Sequence, residues 1–284
     1  MKKRSTKEIK LQAKKALQGH VGTVLLGLLA VYGLNMLGTI LSTNLFSGTS
    51  PLDLVLSEVF MLVVSLIVGI ISAGFGYMLL NISRGKEFSL GDLGYFFKNQ
   101  PDRVIIAGFV LAVIQIVTAI PYYYVSFTTD PGLTVDSQIK WLSMTLGLLA
   151  VSTLLNFLIS LPFAMTYFLM ADDTELGGLQ ALKVSARLMK GNLWRYVKLN
   201  LSFVPLLLLS VFTFYIALFW IMPYMEMSMV AFYRDLDGEL DYRLPGNEGF
   251  GSFHNWTNDS GDGYDTENND GYRNDSEDDY NSEA

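Results

Sequence analysis

Cysteine is absent, and histidine occurs only twice, at His20 and His254. The first absence excludes disulfides, thiolate metal sites and a cysteine nucleophile. Two histidines this far apart exclude a histidine-rich metal cluster, and also a Ser/His/Asp triad within the apolar runs. Charge is scarce as well. Asp, Glu, Lys and Arg make up 17% of the 284 residues, against about 25% in a soluble domain. Hydrophobic residues reach 51%. The missing charge coincides with long apolar runs, so the sequence reads as an integral membrane protein.

The net charge of −7 averages two unlike parts. Residues 1–234 carry 18 Lys and Arg against 12 Asp and Glu, whereas residues 235–284 carry 2 against 15. The low isoelectric point therefore belongs to the tail, and the body is mildly basic.

A helix needs roughly 20 apolar residues to cross a hydrocarbon core of about 30 Å. Four stretches meet this: Val21–Thr43, Val55–Leu80, Val104–Val125 and Trp141–Met170. A fifth, Leu199–Tyr233, is 35 residues long with Glu226 its one charge. As one helix it would measure about 52 Å. The alternative is two short spans joined by a turn near Phe214–Tyr215, where no Gly or Asn marks it. Lys and Arg mark cytoplasmic loops. Residues 1–20 carry seven of them, 81–103 four and 171–198 five; residues 44–54 carry none and 126–140 one. The expected fold is all-α. It is a polytopic helical membrane bundle of six transmembrane helices, with five as the alternative. Short cytoplasmic amphipathic helices and a disordered acidic C-terminal tail complete it. Both termini are expected in the cytoplasm, and the basic start is read as a retained anchor rather than a cleaved signal peptide. The expected division is a basic amphipathic helix over 1–20, a membrane domain over 21–236 and the tail over 237–284.

Two inner segments have the pattern of surface helices. In the first, Ser5 and Glu8 fit a capping box and Gly19 suits a helix stop. Ile9, Ala13, Ala16 and Leu17 form its apolar face; Lys7, Lys10, Lys14 and Lys15 form its basic side. The second is Leu179–Lys190, closed by Gly191, with Lys183, Arg187 and Lys190 on one face. These basic residues are the candidate contacts to anionic inner-leaflet headgroups or to a protein partner. A third segment carries a capping-box spacing at Ser89 and Asp92, ahead of Leu93, Phe96 and Phe97, and reads as an interfacial helix. Gly69, Gly74 and Gly76 mark close packing along the second span.

Polar residues inside the spans are the other candidates. Asn35, Gln115 and Asn156 lie near the middles of spans one, three and four. They read first as packing bonds between helices, and alternatively as a polar path. Glu226 follows Pro223 by three residues. A carboxylate at membrane depth must be paired, protonated or hydrated. It is therefore either the partner of an inner Lys or Arg or part of an ion or proton path. Tyr122, Tyr123, Tyr124 and Trp141 read as an outer aromatic belt.

The tail is rich in Asp, Asn, Gly, Ser and Tyr and too poor in aliphatics to bury a core. Tyr264, Tyr272 and Tyr280 repeat at a spacing of eight; the tail reads first as a solvated segment without a defined partner, and alternatively as a contact for a basic protein partner. Asn258, Ser260, Asp262 and Gly263 imitate the start of an EF-hand loop, but position twelve is Asn269 rather than Glu, so the bidentate ligand is missing.

Several short motifs occur in order. Arg84–Gly85–Lys86 precedes Asp92–Leu93, and Asp172–Asp173 follows a span. Ser185–Ala186–Arg187–Leu188–Met189–Lys190–Gly191 leads to Leu201–Ser202–Phe203. Pro223–Tyr224 and Phe232–Tyr233–Arg234–Asp235–Leu236 close the series. With these the chain resembles, over about residues 5–236, the bacterial multi-pass proteins catalogued as domain of unknown function 975. The resemblance implies a helical membrane domain, usually of six spans, with no established activity. Two departures stand out: Phe214–Tyr215–Ile216 replaces a Gly-rich turn, and the acidic tail is additional.

The functional expectation is a non-enzymatic scaffold or regulator at the bacterial cell membrane, without cofactor, metal or nucleic acid. The alternative is a small-solute or proton-coupled transporter or channel using Glu226 and the mid-span amides.

Overall fold

Residues 3–47 and 50–241 are described by the computed structural model. Every regular element among them is a helix. Helix α1 is Thr6–Leu17, α2 is Val21–Leu45 and α3 is Pro51–Arg84. A 3-10 turn over Leu90–Gly94 leads into the short α4, Tyr95–Lys98. Next come α5, Pro101–Thr128, and α6, Val135–Ser160; a second 3-10 turn, Leu161–Phe163, separates α6 from α7, Thr166–Asp172. The chain continues through α8, Gly178–Met189; α9, Leu193–Leu201; α10, Val204–Phe212; and α11, Leu218–Leu236.

Local chemistry sets the helix ends. Ser5 and Glu8 form the expected capping box: the Ser5 backbone N–H donates to Glu8 Oε2 at 2.7 Å, and the Glu8 N–H donates to Ser5 Oγ at 3.4 Å. Gly19 and Gly85 end α1 and α3 with φ of +83° and +69°, a region that glycine enters without a Cβ clash. Ser89 and Asp92 make the second box, although it opens a 3-10 turn rather than a regular helix.

Five stretches are long and apolar enough to cross a membrane: Val21–Leu45, Leu52–Arg84, Pro101–Ser126, Val135–Asp172 and Leu193–Phe212. The first four are the spans read from the sequence. The fifth starts six residues ahead of the long stretch and overlaps its front part, Leu199–Phe212. That stretch is not one helix. It breaks at 213–217, where Phe214 and Tyr215 take φ of +50° and +66°, so the turn falls where the sequence places it, without a glycine. The two ends of the resulting hairpin meet, since Arg195 Nη2 binds Asp235 Oδ2.

Helix α2 packs along α3 and α5 along α6, and the two pairs join where α3 meets α5. Burial is uneven along these pairs. In α3 the buried apolar residues run from Val68 to Ile82, while Val55, Val59 and Val63 in its first half are exposed. Met36, Leu37 and Leu41 of α2 and Leu154, Leu155 and Leu158 of α6 are exposed too. The packed core sits at one end of the molecule, the head; the other end presents apolar sides suited to a bilayer.

The head corrects the reading of the surface helices. The sequence laid the apolar face of α1 on lipid. The structure lays it on α11, with Ile9, Ala13 and Leu17 in one core with Met227, Val230 and Ala231. Helix α8 likewise buries Ala181, Leu182 and Met189 against α5 and α7. The physical reason is the same for both: protein side chains, rather than acyl chains, cover the apolar stripe. Phe96 is fully buried rather than interfacial, whereas Phe97 stays exposed. Gly74 explains how this loop docks. A methyl there would overlap the carbonyl oxygens of Asp92 and Leu93, so only glycine admits the loop against α3. Gly69 and Gly76 instead face Tyr167 and Phe168 of α7.

Beyond α11, Glu239, Leu240 and Asp241 bond to arginines of the head. The tail from residue 242 onward, including the tyrosine repeat, His254 and the EF-hand-like segment, lies outside the described residues.

Candidate functional site

Four arginines from distant parts of the chain converge on the head. Arg84, the last residue of α3, forks onto Asp172 at the end of α7, with Nη1–Oδ1 at 2.6 Å and Nη2–Oδ2 at 2.8 Å. Its Nε and Nη2 also reach Glu239 Oε2, at 3.1 and 2.9 Å. Tyr233 of α11 donates its hydroxyl to Asp172 Oδ2 at 2.9 Å. Arg234, 4% exposed, donates to Glu239 Oε1 at 2.7 Å and to the carbonyl and hydroxyl of Ser83, both at 2.6 Å. Arg4, ahead of α1, donates to Asp235 at 3.2 Å, to Asp241 at 2.9 Å and to the Leu240 carbonyl at 2.8 Å. Arg195, in the first turn of α9, binds Asp235 and donates to the Arg4 carbonyl at 2.9 Å. The planar guanidinium suits such forked contacts; a lysine would not reproduce them.

Electrostatics follow from this geometry. Burial alone would push the Glu239 carboxyl up, but hydrogen bonds and charge from Arg234 and Arg84 outweigh it and hold the group below its usual value. Arg103, at the start of α5 and 5% exposed, sits beside the network and caps the 173–176 loop by donating to the carbonyls of Asp173 and Leu176 at 3.1 and 3.0 Å. Ser185 of α8 repairs the break between α6 and α7. Its hydroxyl donates to the Pro162 carbonyl at 2.8 Å and accepts from the Met165 N–H at 3.2 Å.

The residues singled out from sequence are scattered by comparison. Lys10 turns inward: its Nζ donates to the Ser202 carbonyl at 2.9 Å and lies 3.8 Å from the Phe203 ring centroid, and burial pushes its ammonium pKa down. Lys7, Lys14 and Lys15 stay exposed on α1, as do Lys183, Arg187 and Lys190 at the end of α8 and just beyond. The three amides are not brought together. Asn156 of α6 donates to Thr118 of α5 at 3.2 Å, an interhelical bond of the kind expected. Asn35 donates to the Val31 carbonyl of its own helix at 3.4 Å, and Gln115 faces outward. Glu226 lies within the electrostatic reach of Tyr32 on α2 and Tyr196 on α9. Among the described residues no Lys or Arg forms an ion pair with it. At the far end Glu58 of α3 binds Tyr123 of α5, inside the expected aromatic belt.

None of Arg4, Arg84, Arg195, Arg234, Asp172, Asp235 and Glu239 was singled out as a site from sequence. Asp172, Arg84, Tyr233, Arg234 and Asp235 lie, however, within the motifs on which the resemblance rests. The profile of one family matches residues 1–239, ending on the last glutamate of the network. The chain belongs to that family, described as protein of unknown function (DUF975). In this member of DUF975 three of the scattered motifs, those of Arg84, Asp172 and Tyr233–Asp235, therefore meet in the head. No curated protein and no solved structure matches the chain.

Proposed function

We propose that this DUF975 member is a non-enzymatic scaffold or regulator at a bacterial cell membrane, with the head on the cytoplasmic side. The observation that carries the reading is the division of labour among the basic residues. Arg4, Arg84, Arg195 and Arg234 are spent inside the head on carboxylates and carbonyls. Lys7, Lys14, Lys15, Lys183 and Lys190 remain exposed around it. A cross-linked interior makes a firm platform, and an exposed lysine rim attracts anionic headgroups or an acidic partner, at about 1 kcal/mol per residue near the membrane surface. In-cell crosslinking followed by capture of the intact chain should return one protein in near-stoichiometric amount. A variant with all five lysines changed to Gln should lose it. Recovery of the same protein by both would overturn the reading.

A transporter is the second reading, favoured by Glu226, a carboxylate three residues after Pro223, within electrostatic reach of Tyr32 and Tyr196 and without an ion pair among the described residues. It predicts solute or proton flux in liposomes that Glu226→Gln alters. Unchanged flux removes Glu226 from any path.

A further inference from the structure

Of the hairpin made by α10 and α11, only the first limb falls within a segment long and apolar enough to cross a membrane, Leu193–Phe212, and the depth of the hairpin can be read independently. Its tip can be placed against α2. An open groove of about 340 Å³ is lined by Phe214, Tyr215, Ile216 and Phe219 on one side and by Leu25, Leu28, Leu29 and Tyr32 on the other. All four α2 residues lie in the first half of that 25-residue helix, which starts at the head. Beyond Tyr32, α2 continues for 13 residues to Leu45, about 20 Å at the helical rise. The tip therefore stops well short of the far end.

The root of the hairpin is fixed just as clearly. Lys10 of α1 holds the Ser202 carbonyl at 2.9 Å, and the Tyr224 hydroxyl donates to the Lys10 carbonyl at 3.3 Å. Between these ties α10 has nine residues, about 14 Å of helix. That matches half of a hydrocarbon core of about 30 Å.

The tip is also built for a place without water. From Phe212 to Trp220 there is no charged residue. Phe212 and Phe214 are 82% and 88% exposed, and Tyr215 and Trp220 are 60% and 62% exposed. The far-end segment 129–137 carries Asp130, Gly132, Asp136 and Ser137, residues that suit water. In hydrocarbon an unpaired backbone group is costly, and irregular backbone survives there only when satisfied within the protein. Every N–H from Thr213 to Ile221 meets that condition. Thr213 and Tyr215 donate to the Ser210 carbonyl, Phe214 to Val211, Ile216 to Thr213, Leu218 to Tyr215, and Phe219 to Ile216. Trp220 and Ile221 share the Ala217 carbonyl, and the Ala217 N–H, which finds no carbonyl, takes the Thr213 hydroxyl at 3.2 Å. Tyr215 would suit a far-side aromatic belt by composition alone; its level beside Leu25–Tyr32 places it short of that belt.

We infer that residues 203–224 form a re-entrant hairpin, an interaction surface for the hydrocarbon of the single leaflet next to the head, with its tip near the bilayer midplane. Helices α2, α3, α5 and α6–α7 then make the full crossings, and α11 returns to the head without having reached the far surface. The inference concerns the membrane contact alone and holds whether the head serves a scaffold or a transporter.

The absence of cysteine makes the test direct. The full chain carrying Phe214→Cys, reconstituted in phosphatidylcholine–phosphatidylglycerol vesicles, takes a nitroxide label. Its collision rates with oxygen and with a water-soluble nickel chelate report depth. Asp130→Cys marks the far surface and Gln18→Cys the head. The Phe214 label should show an oxygen-to-nickel ratio several-fold above both markers. Phe212→Cys, on the regular end of α10, gives a second reading if the left-handed position resists substitution. A ratio at the tip equal to that of the Asp130 marker would overturn the inference, because the hairpin would then cross the bilayer. A ratio equal to that of the Gln18 marker would overturn it too, because the tip would lie in water beside the head.

Discussion

Asp235 shows how much one side chain can carry in this head. Its carboxylate is 1% exposed and accepts from both Arg4 and Arg195. Removing one partner of a buried pair is far worse than never having had it, because the remaining charge loses its counterion without regaining water. Asp235→Ala should therefore destabilise the protein by about 3 kcal/mol or more, read as a lower unfolding midpoint of the detergent-purified chain. Glu239 adds a pH dependence. Its folded pKa lies below the ordinary value, so its stabilisation is present above the unfolded pKa of about 4 and is lost as pH falls through the folded value. The midpoint should drop as pH goes below about 4, and the drop should be smaller in Glu239→Gln. An identical acid profile in that variant would remove Glu239 as a contributor.

Among the elements, α8 does more than cover α5 and α7. Pro162 ends regular helix between α6 and α7, and Ser185 supplies partners for the backbone groups this frees. Ser185→Ala leaves them unsatisfied in a buried place, at a cost of about 1–3 kcal/mol. Differential scanning fluorimetry would show the loss, and Ser185→Thr should restore part of it. Elements of this kind were legible in the sequence up to a point. The Ser5–Glu8 box, the Gly19 and Gly191 stops and the turn at Phe214–Tyr215 are local, and local chemistry announces itself in neighbouring residues. What covers a helix is not local. The stripe of Ile9, Ala13 and Leu17 says that one face of α1 is apolar, but lipid and α11 satisfy the same stripe. The choice depends on where α11 comes to rest, which a periodicity does not contain. The turn's depth escaped for the same reason: composition reports that the hairpin is apolar, while only its position beside α2 reports how far it goes.

At the scale of the whole molecule, the head is a joint between the two ends of the folded chain. Arg4 and Asp235 are 231 positions apart in sequence and in contact in space. Such a pairing leaves no trace in spacing or composition, which is why the ionic network was not read as a site although its motifs were seen. Glu239 and Asp241 extend the joint past α11, so two truncations should behave differently. A chain ending after residue 241 should keep the unfolding midpoint of the full protein. One ending after 236 should unfold at a lower temperature, because Arg84 and Arg234 lose Glu239, and Arg4 loses Leu240 and Asp241. Equal midpoints would show that residues 237–241 contribute nothing to stability.

The same joint sets an order on biosynthesis. Arg4 leaves the ribosome 231 residues before its carboxylate partner Asp235, and earlier still than Asp241. While the earlier helices are being inserted, α1 has neither its counterions nor the α11 surface that covers Ile9, Ala13 and Leu17. Closure can begin only when nearly the whole folded chain has been made. A nascent chain stalled before α11 therefore lacks the surface that covers the apolar stripe of α1.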